Sequence, residues 1–228
     1  MKNYFTKGEL TLWFSSMALI IASYFIFNNS NYLTLAASII GVTALVLTAK
    51  GNPLSQVLMI IFCLLYTYIS WTFSYYGEML TYLGMSLPMS FIVLISWLKN
   101  PFKGKKSEVA VSQRPLSERE KKLMWKLTIV VTIVFYFILK FFNTANLIVS
   151  TFSISTSFMA VFLSSKRNPY FALAYAANDI VLIVLWVLAS FTDSSYISVV
   201  LCFLAFLAND IYTFINWKRI AKKQKDAI

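Results

Sequence analysis

Eight long apolar runs dominate the chain and leave only short polar connections between them. They lie at approximately Leu10 to Phe27, Tyr32 to Ala49, Pro53 to Tyr75, Met79 to Leu98, Trp125 to Phe142, Ala145 to Ser165, Pro169 to Phe191 and Ser195 to Trp217. Each is close to the roughly 20 residues that a helix needs to cross a hydrocarbon core of about 30 Å. No water reaches unpaired backbone groups there, so each run must close its hydrogen bonds internally, as a helix. The expected fold class is an all-α polytopic membrane protein with eight transmembrane helices. The first run is longer than a signal-peptide core and ends in Asn28, Asn29, Ser30 and Asn31 without a small-residue cleavage site, so it is read as a membrane helix.

The loop charges test this count independently. Lys2 and Lys7 precede span 1, Lys50 follows span 2, nine cations lie between Lys99 and Lys126, Lys166 and Arg167 follow span 6, and five cations run from Lys218 to Lys225. The intervening loops carry no charge or only Glu78 and Asp193. Cations gather on the cytoplasmic side, which predicts that both termini are cytoplasmic. The net charge of +11 is then mainly a topology signal, and no nucleic-acid partner is expected. The chain has no histidine, which excludes imidazole metal sites and histidine bases. Cys63 and Cys202 fall within apolar runs and read as small buried hydrophobes. No metal or cofactor is expected.

Helix starts are written locally. Asn52-Pro53 and Asn168-Pro169 each place a capping side chain before a proline suited to a first turn. Ser117 and Glu120 have capping-box spacing, so span 5 should begin well before Trp125. The basic segment before it reads as a solvated linker. Pro88 should bend span 4.

An internal repeat is also visible. Lys50-Gly51-Asn52-Pro53 recurs as Lys166-Arg167-Asn168-Pro169, Trp71 as Trp186, Glu78 as Asp193, and Ser96-Trp97-Leu98-Lys99 as Asn216-Trp217-Lys218. The matches keep their order, which points to two copies of a three-helix unit. A single helix between the copies would make them parallel, as in transporters whose substrate site lies between repeats near mid-membrane. The expected division is 1–30, an N-terminal helix; 31–99, the first repeat; 100–143, a basic loop and linker helix; 144–218, the second repeat; and 219–228, a basic tail.

Asp179 and Asp210 lie well inside spans 7 and 8, each after an asparagine. An acid at such depth marks either a site or a fixed interhelical hydrogen bond. Asn178, Asp179 and Trp186 on span 7, with Asn209, Asp210, Tyr212 and Asn216 on span 8, form candidate polar stripes. The first repeat offers Gln56, Thr67 and Trp71 on span 3 and Tyr82 on span 4. Trp97, Trp125 and Trp217 near helix ends read as an interfacial belt. The lining lacks a buried Lys or Arg for phosphate. It suits a small neutral or monocationic ring compound carrying hydroxyls.

Tyr76-Gly77-Glu78-Met79 with Trp97, Asn178-Asp179 with Trp186, and Asn209-Asp210-x-Tyr212 with Trp217 resemble the bacterial nicotinamide riboside transporter family, PnuC. That resemblance implies a fold similar to the SWEET sugar transporters, with three plus one plus three helices in the inner membrane. It implies facilitated uptake of nicotinamide riboside, an NAD precursor, trapped by a cytoplasmic riboside kinase. Where some members have Gln in span 4, this chain has Tyr82. A phosphate-binding loop of the G-x-x-x-x-G-K type is absent from the sequence, in keeping with uniport. The rival readings are transport of thiamine, riboflavin or a sugar, or a channel or scaffold; an enzyme is not expected, and oligomer formation stays open.

Overall fold

The computed structural model describes residues 4–27, 32–72 and 75–227. Lys2 and residues 28–31 lie outside the described residues. Among the described residues, eight helical spans are long and apolar enough to cross a membrane. They are α1 (Lys7–Phe27), α2 (Tyr32–Ala49), α3 (Leu54–Thr72), a split fourth span of α4 (Tyr76–Thr81) and α5 (Leu87–Lys99), then α6 (Glu118–Phe141), α7 (Leu147–Ser165), α8 (Phe171–Ser190) and α9 (Ile197–Asp226). A two-stranded hairpin, β1 (Pro101–Phe102) and β2 (Lys105–Val109), lies between α5 and α6.

The helix starts follow from the side chains placed there. Asn52 accepts the Leu54 N–H at 3.0 Å, and Asn168 accepts the Tyr170 N–H at 3.0 Å. The preceding Gly51 and Arg167 both turn through the left-handed region, at φ 64° and 56°. Ser117 caps α6 as its spacing with Glu120 predicts: the Glu120 N–H reaches Ser117 Oγ at 3.3 Å, and the Ser117 N–H reaches Glu120 Oε2 at 3.0 Å.

Pro88 changes the fourth span by a definite route. It has no N–H, and its ring crowds the carbonyl of Gly84 four residues back. Immediately upstream, Tyr82–Ser86 forms a π-helical turn, in which the Leu87 N–H reaches the Tyr82 carbonyl five residues away. Gly77 lets α4 approach the end of α6, because a Cβ there would meet Thr144 Oγ1 and lie 3.0 Å from Leu139.

The helices form two neighbourhoods, α2 with α3 and α5, and α7 with α8 and α9. They meet twice, through α2 against α9 and through α5 against α7, while α6 lies on α7 and α1 covers α2 and α9. At the end of the bundle bearing Lys50 and Lys166, the two neighbourhoods exchange matching bonds. Trp97 Nε1 donates to the Ser164 carbonyl at 3.1 Å, and Trp217 Nε1 donates to the Thr48 carbonyl at 2.7 Å. Beside them Ser96 Oγ donates to the Ser165 carbonyl at 2.6 Å, and Asn216 Nδ2 to the Ala49 carbonyl at 2.8 Å.

Trp97 and Trp217 are therefore not belt residues: both are 0% exposed, with ring centroids 5.3 Å apart and Phe171 packed edge-on against Trp217 at 4.7 Å. Their depth along the helix fits a belt, but their faces turn inward, where each indole is a second donor to a last-turn carbonyl that also accepts the Gly51 or Arg167 N–H. Trp125 does stand on the exposed surface.

The basic segment is likewise no solvated linker. Val109 and Val111 are buried, the Val109 N–H donates to the Gly51 carbonyl at 2.9 Å, and the Ser112 N–H donates to the Arg167 carbonyl at 3.0 Å. Gln224, on an extension of α9 beyond Trp217, donates to the Val109 carbonyl at 3.0 Å and accepts the Val111 N–H at 2.8 Å. Two buried valines and these bonds outweigh the lysines around them, which stay in solvent. Lys140 departs from the loop-charge pattern. It lies in the last turn of α6 at the opposite end, over the Tyr136 ring at 5.9 Å, where a cation complements the helix dipole.

Candidate functional site

Polar groups gather inside the bundle where α8 and α9 face α3. The carboxyl groups of Asp179 on α8 and Asp210 on α9 are in hydrogen-bonding contact, at 4% and 2% exposure. Asp179 Oδ2 and Asp210 Oδ1 are buried with no amide, hydroxyl or cation bonded to them, so the pair has only itself to satisfy them. Tyr175, one turn before Asp179, lies near both carboxyls and Cys63; Cys202 lies near Asp179. Asn178 turns the other way, to α7, where its Oδ1 accepts from Thr156 Oγ1 at 2.8 Å.

An aromatic wall comes from the first neighbourhood. Tyr66 and Tyr82 pack at a tilt, with centroids 5.1 Å apart at 35°, and Phe62 packs on Tyr66 at 4.6 Å. Tyr82 reaches Tyr66 from the π-helical turn, so the distortion upstream of Pro88 sets where this ring stands. The Tyr66 hydroxyl bonds to Ser38 on α2.

Towards the other end, Trp186 packs on Tyr196 with centroids 5.2 Å apart. Its Nε1 is buried without an acceptor. Seven residues separate Asp179 from Trp186, two helical turns or about 10 Å along one face of α8. Beyond Trp186, the Tyr196 and Tyr75 hydroxyls share a hydrogen bond that joins the connection before α9 to the one before α4. Asp193 accepts the Ser195 N–H at 2.9 Å there; that bond, with one from the Ser195 hydroxyl, holds its carboxyl below the ordinary carboxylate value.

Of the candidate residues the structure thus brings Asp179 and Asp210 together, while Trp186 lies two turns along α8, Tyr82 packs on Tyr66 and Asn178 faces α7. Asn209 instead donates to Ser16 Oγ on α1 at 2.9 Å and to the Ala205 carbonyl at 2.8 Å. Tyr212 donates to Glu9 Oε1 at 3.2 Å, and Asn216 bonds the end of α2. Thr67 spends its hydroxyl on the Cys63 carbonyl at 2.8 Å, and buried Gln56 touches Ser55 Oγ at 3.4 Å. Trp71 is 57% exposed, beside Tyr68.

Sequence reasoning missed Tyr175, although its spacing of four from Asp179 marks it. It also missed Glu9, which forms a capping box with Thr6, pairs with Lys50 Nζ at 3.2 Å and accepts from Tyr212. The Thr6-x-x-Glu9 pattern carried that signal. Nothing local in the sequence pairs Tyr75 with Tyr196.

Among the described residues no three His, Cys, Asp or Glu side chains converge as metal ligands. The cluster offers carboxyl oxygens, an indole N–H, hydroxyls and ring faces. Those groups can hold a planar ring, a sugar hydroxyl and a positive charge.

A family model described as nicotinamide mononucleotide transporter matches residues 31–219, a stretch that begins after α1. A Neisseria mucosa protein named nicotinamide riboside transporter PnuC is 27% identical over 215 residues, 93% of this chain and 81% of that protein. The Haemophilus influenzae protein of the same name is 25% identical over 193 residues, 85% of this chain and 82% of its own. A crystal structure described as the vitamin B3 transporter PnuC shares the fold at a TM-score of 0.79 and 24% identity, covering 96% of this chain and 94% of that one. With eight apolar spans and a family match that runs from α2 into α9, this chain belongs to the PnuC family of membrane transporters.

Proposed function

We propose that the protein carries nicotinamide riboside across the inner membrane by facilitated diffusion with alternating access. The observation that carries this reading is the pairing, two turns apart on one face of α8, of an Asp179 oxygen and the Trp186 indole N–H, neither of which bonds an amide, a hydroxyl or a cation. A ring joined to a ribose spans about that distance. In this arrangement the pyridinium ring lies by the acids on the side of Tyr66 and Tyr82, and the ribose hydroxyls meet Trp186. The names of the Neisseria and Haemophilus relatives agree with the riboside. The family description names the mononucleotide instead. A phosphate would find no Lys or Arg among the groups that face the acid pair, which favours the riboside.

Access alternates between two closures in this reading. The Trp97 and Trp217 bonds shut the basic end, which faces the cytoplasm by its loop charges with both termini, and the Tyr75–Tyr196 contact shuts the other. Residues 31–99 and 144–218 act as parallel repeats about the linker helix α6, and the reciprocal tryptophan bonds support that division. A cytoplasmic kinase pulls uptake forward by phosphorylating the product.

Proteoliposomes of the purified protein test this reading. Labelled riboside should equilibrate and accumulate only when kinase and ATP are enclosed, and the mononucleotide should not enter. Accumulation without kinase under a proton gradient overturns the uniport. Thermal stabilisation by thiamine, riboflavin or glucose with none by riboside overturns the substrate.

A further inference from the structure

Packing does not account for the Asp179–Asp210 pair. Two carboxyl groups meet deep within the bundle sharing a proton, and neither Asp179 Oδ2 nor Asp210 Oδ1 bonds an amide, a hydroxyl or a cation. The titratable groups near them are Tyr175 from α8 and Cys202 from α9, and no Lys or Arg stands against the pair among the described residues. A purely structural contact would use those oxygens on hydroxyls or amides, as Asn209 does on Ser16. Intramembrane acids without a positive partner mark the path of something that brings one.

We infer that Asp179 and Asp210, with Tyr175 alongside, are the charge-selecting element of the carrier, which takes a permanently cationic ring in preference to the same ring in neutral form. The inference rests on the riboside reading and adds a discrimination which that reading alone does not require. The oxidised riboside has a pyridinium ring with one positive charge; its 1,4-dihydro form has nearly the same size and hydroxyls but no charge. Hydroxyl bonds serve both forms equally, and ring faces favour the cation in wild type and variants alike, so the part of the preference lost in the aspartate variants measures the acid pair.

Equilibrium binding of both forms to the full-length protein in detergent tests this, in the wild type and in Asp179→Asn and Asp210→Asn, which keep the shape. The wild type should prefer the cation by about tenfold. Either variant should lose most of that preference through weaker cation binding, with little change for the dihydro form. Competition by 1-methylnicotinamide and not by nicotinamide, against labelled riboside on the wild type, gives the same answer without a variant. Equal affinity for the two forms, or equal competition by the two amides, overturns the inference while the riboside reading stands. Binding of neither form overturns both.

Discussion

Asn209 and Asp210 are neighbours in the chain and serve different partners. Successive residues on a helix point about 100° apart, so only one of the two can face α8. Asp210 meets Asp179, while Asn209 ties α9 to Ser16 of α1. Asn209→Leu should therefore lower stability by about 1–3 kcal/mol, because it leaves the buried Ser16 hydroxyl unsatisfied. Thermal unfolding in detergent reads that loss, and riboside affinity should stay unchanged in the folded fraction. Trp186→Phe should do the reverse. It keeps the ring against Tyr196 and deletes an N–H that has no protein partner, so affinity falls several-fold, about 1 kcal/mol, with little change in melting temperature. Trp71→Ala is the control, since a side chain on the outer surface should leave binding as it was. Depth and charge made Asp179 and Asp210 legible in the sequence. Periodicity could not tell the face of α9 that meets α8 from the face that meets α1, because both carry polar residues.

The hairpin and its anchors behave as a unit of the fold. Gln224 satisfies two backbone groups of the segment after α5 and donates to Glu108 Oε1 at 3.0 Å. Gln224→Leu should cost about 1–3 kcal/mol and raise hydrogen exchange of the Val109 and Val111 amides above that of α6. Unchanged protection there would mean that the valines alone hold the hairpin. Gly51→Ala should also destabilise, by about 1–2 kcal/mol, because φ of 64° suits glycine and a Cβ would stand 3.1 Å from Val109 Cγ1. Thermal unfolding reads this as well. The sequence marked the helix starts through Asn52, Asn168 and Ser117, since caps are local. It left the hairpin looking like a solvated loop, because the lysines that flank its valines dominate any local window, while Gln224 lies more than a hundred residues away.

Across the molecule, each neighbourhood places a tryptophan on the other's helix end. If these bonds close one end during transport, linking Ser96→Cys to Ser165→Cys with a short reducible thiol reagent should stop riboside uptake into proteoliposomes, and reductant should restore it. Uptake that persists through complete linking would assign these bonds to a static scaffold. The number of spans and the segregation of loop charges were decided by the sequence alone, because apolar length and charge are properties of a segment that need no neighbour. Which way each helix is rotated was decided only by packing. That rotation sends Trp97 and Trp217 inward rather than to an interface belt, turns Asn209, Tyr212 and Asn216 to other helices, and leaves Asp179 facing Asp210. The reason is physical: lipid rewards apolar surface on every face alike, so a span's facing is set by the partners that satisfy its polar groups, and those come from distant parts of the chain.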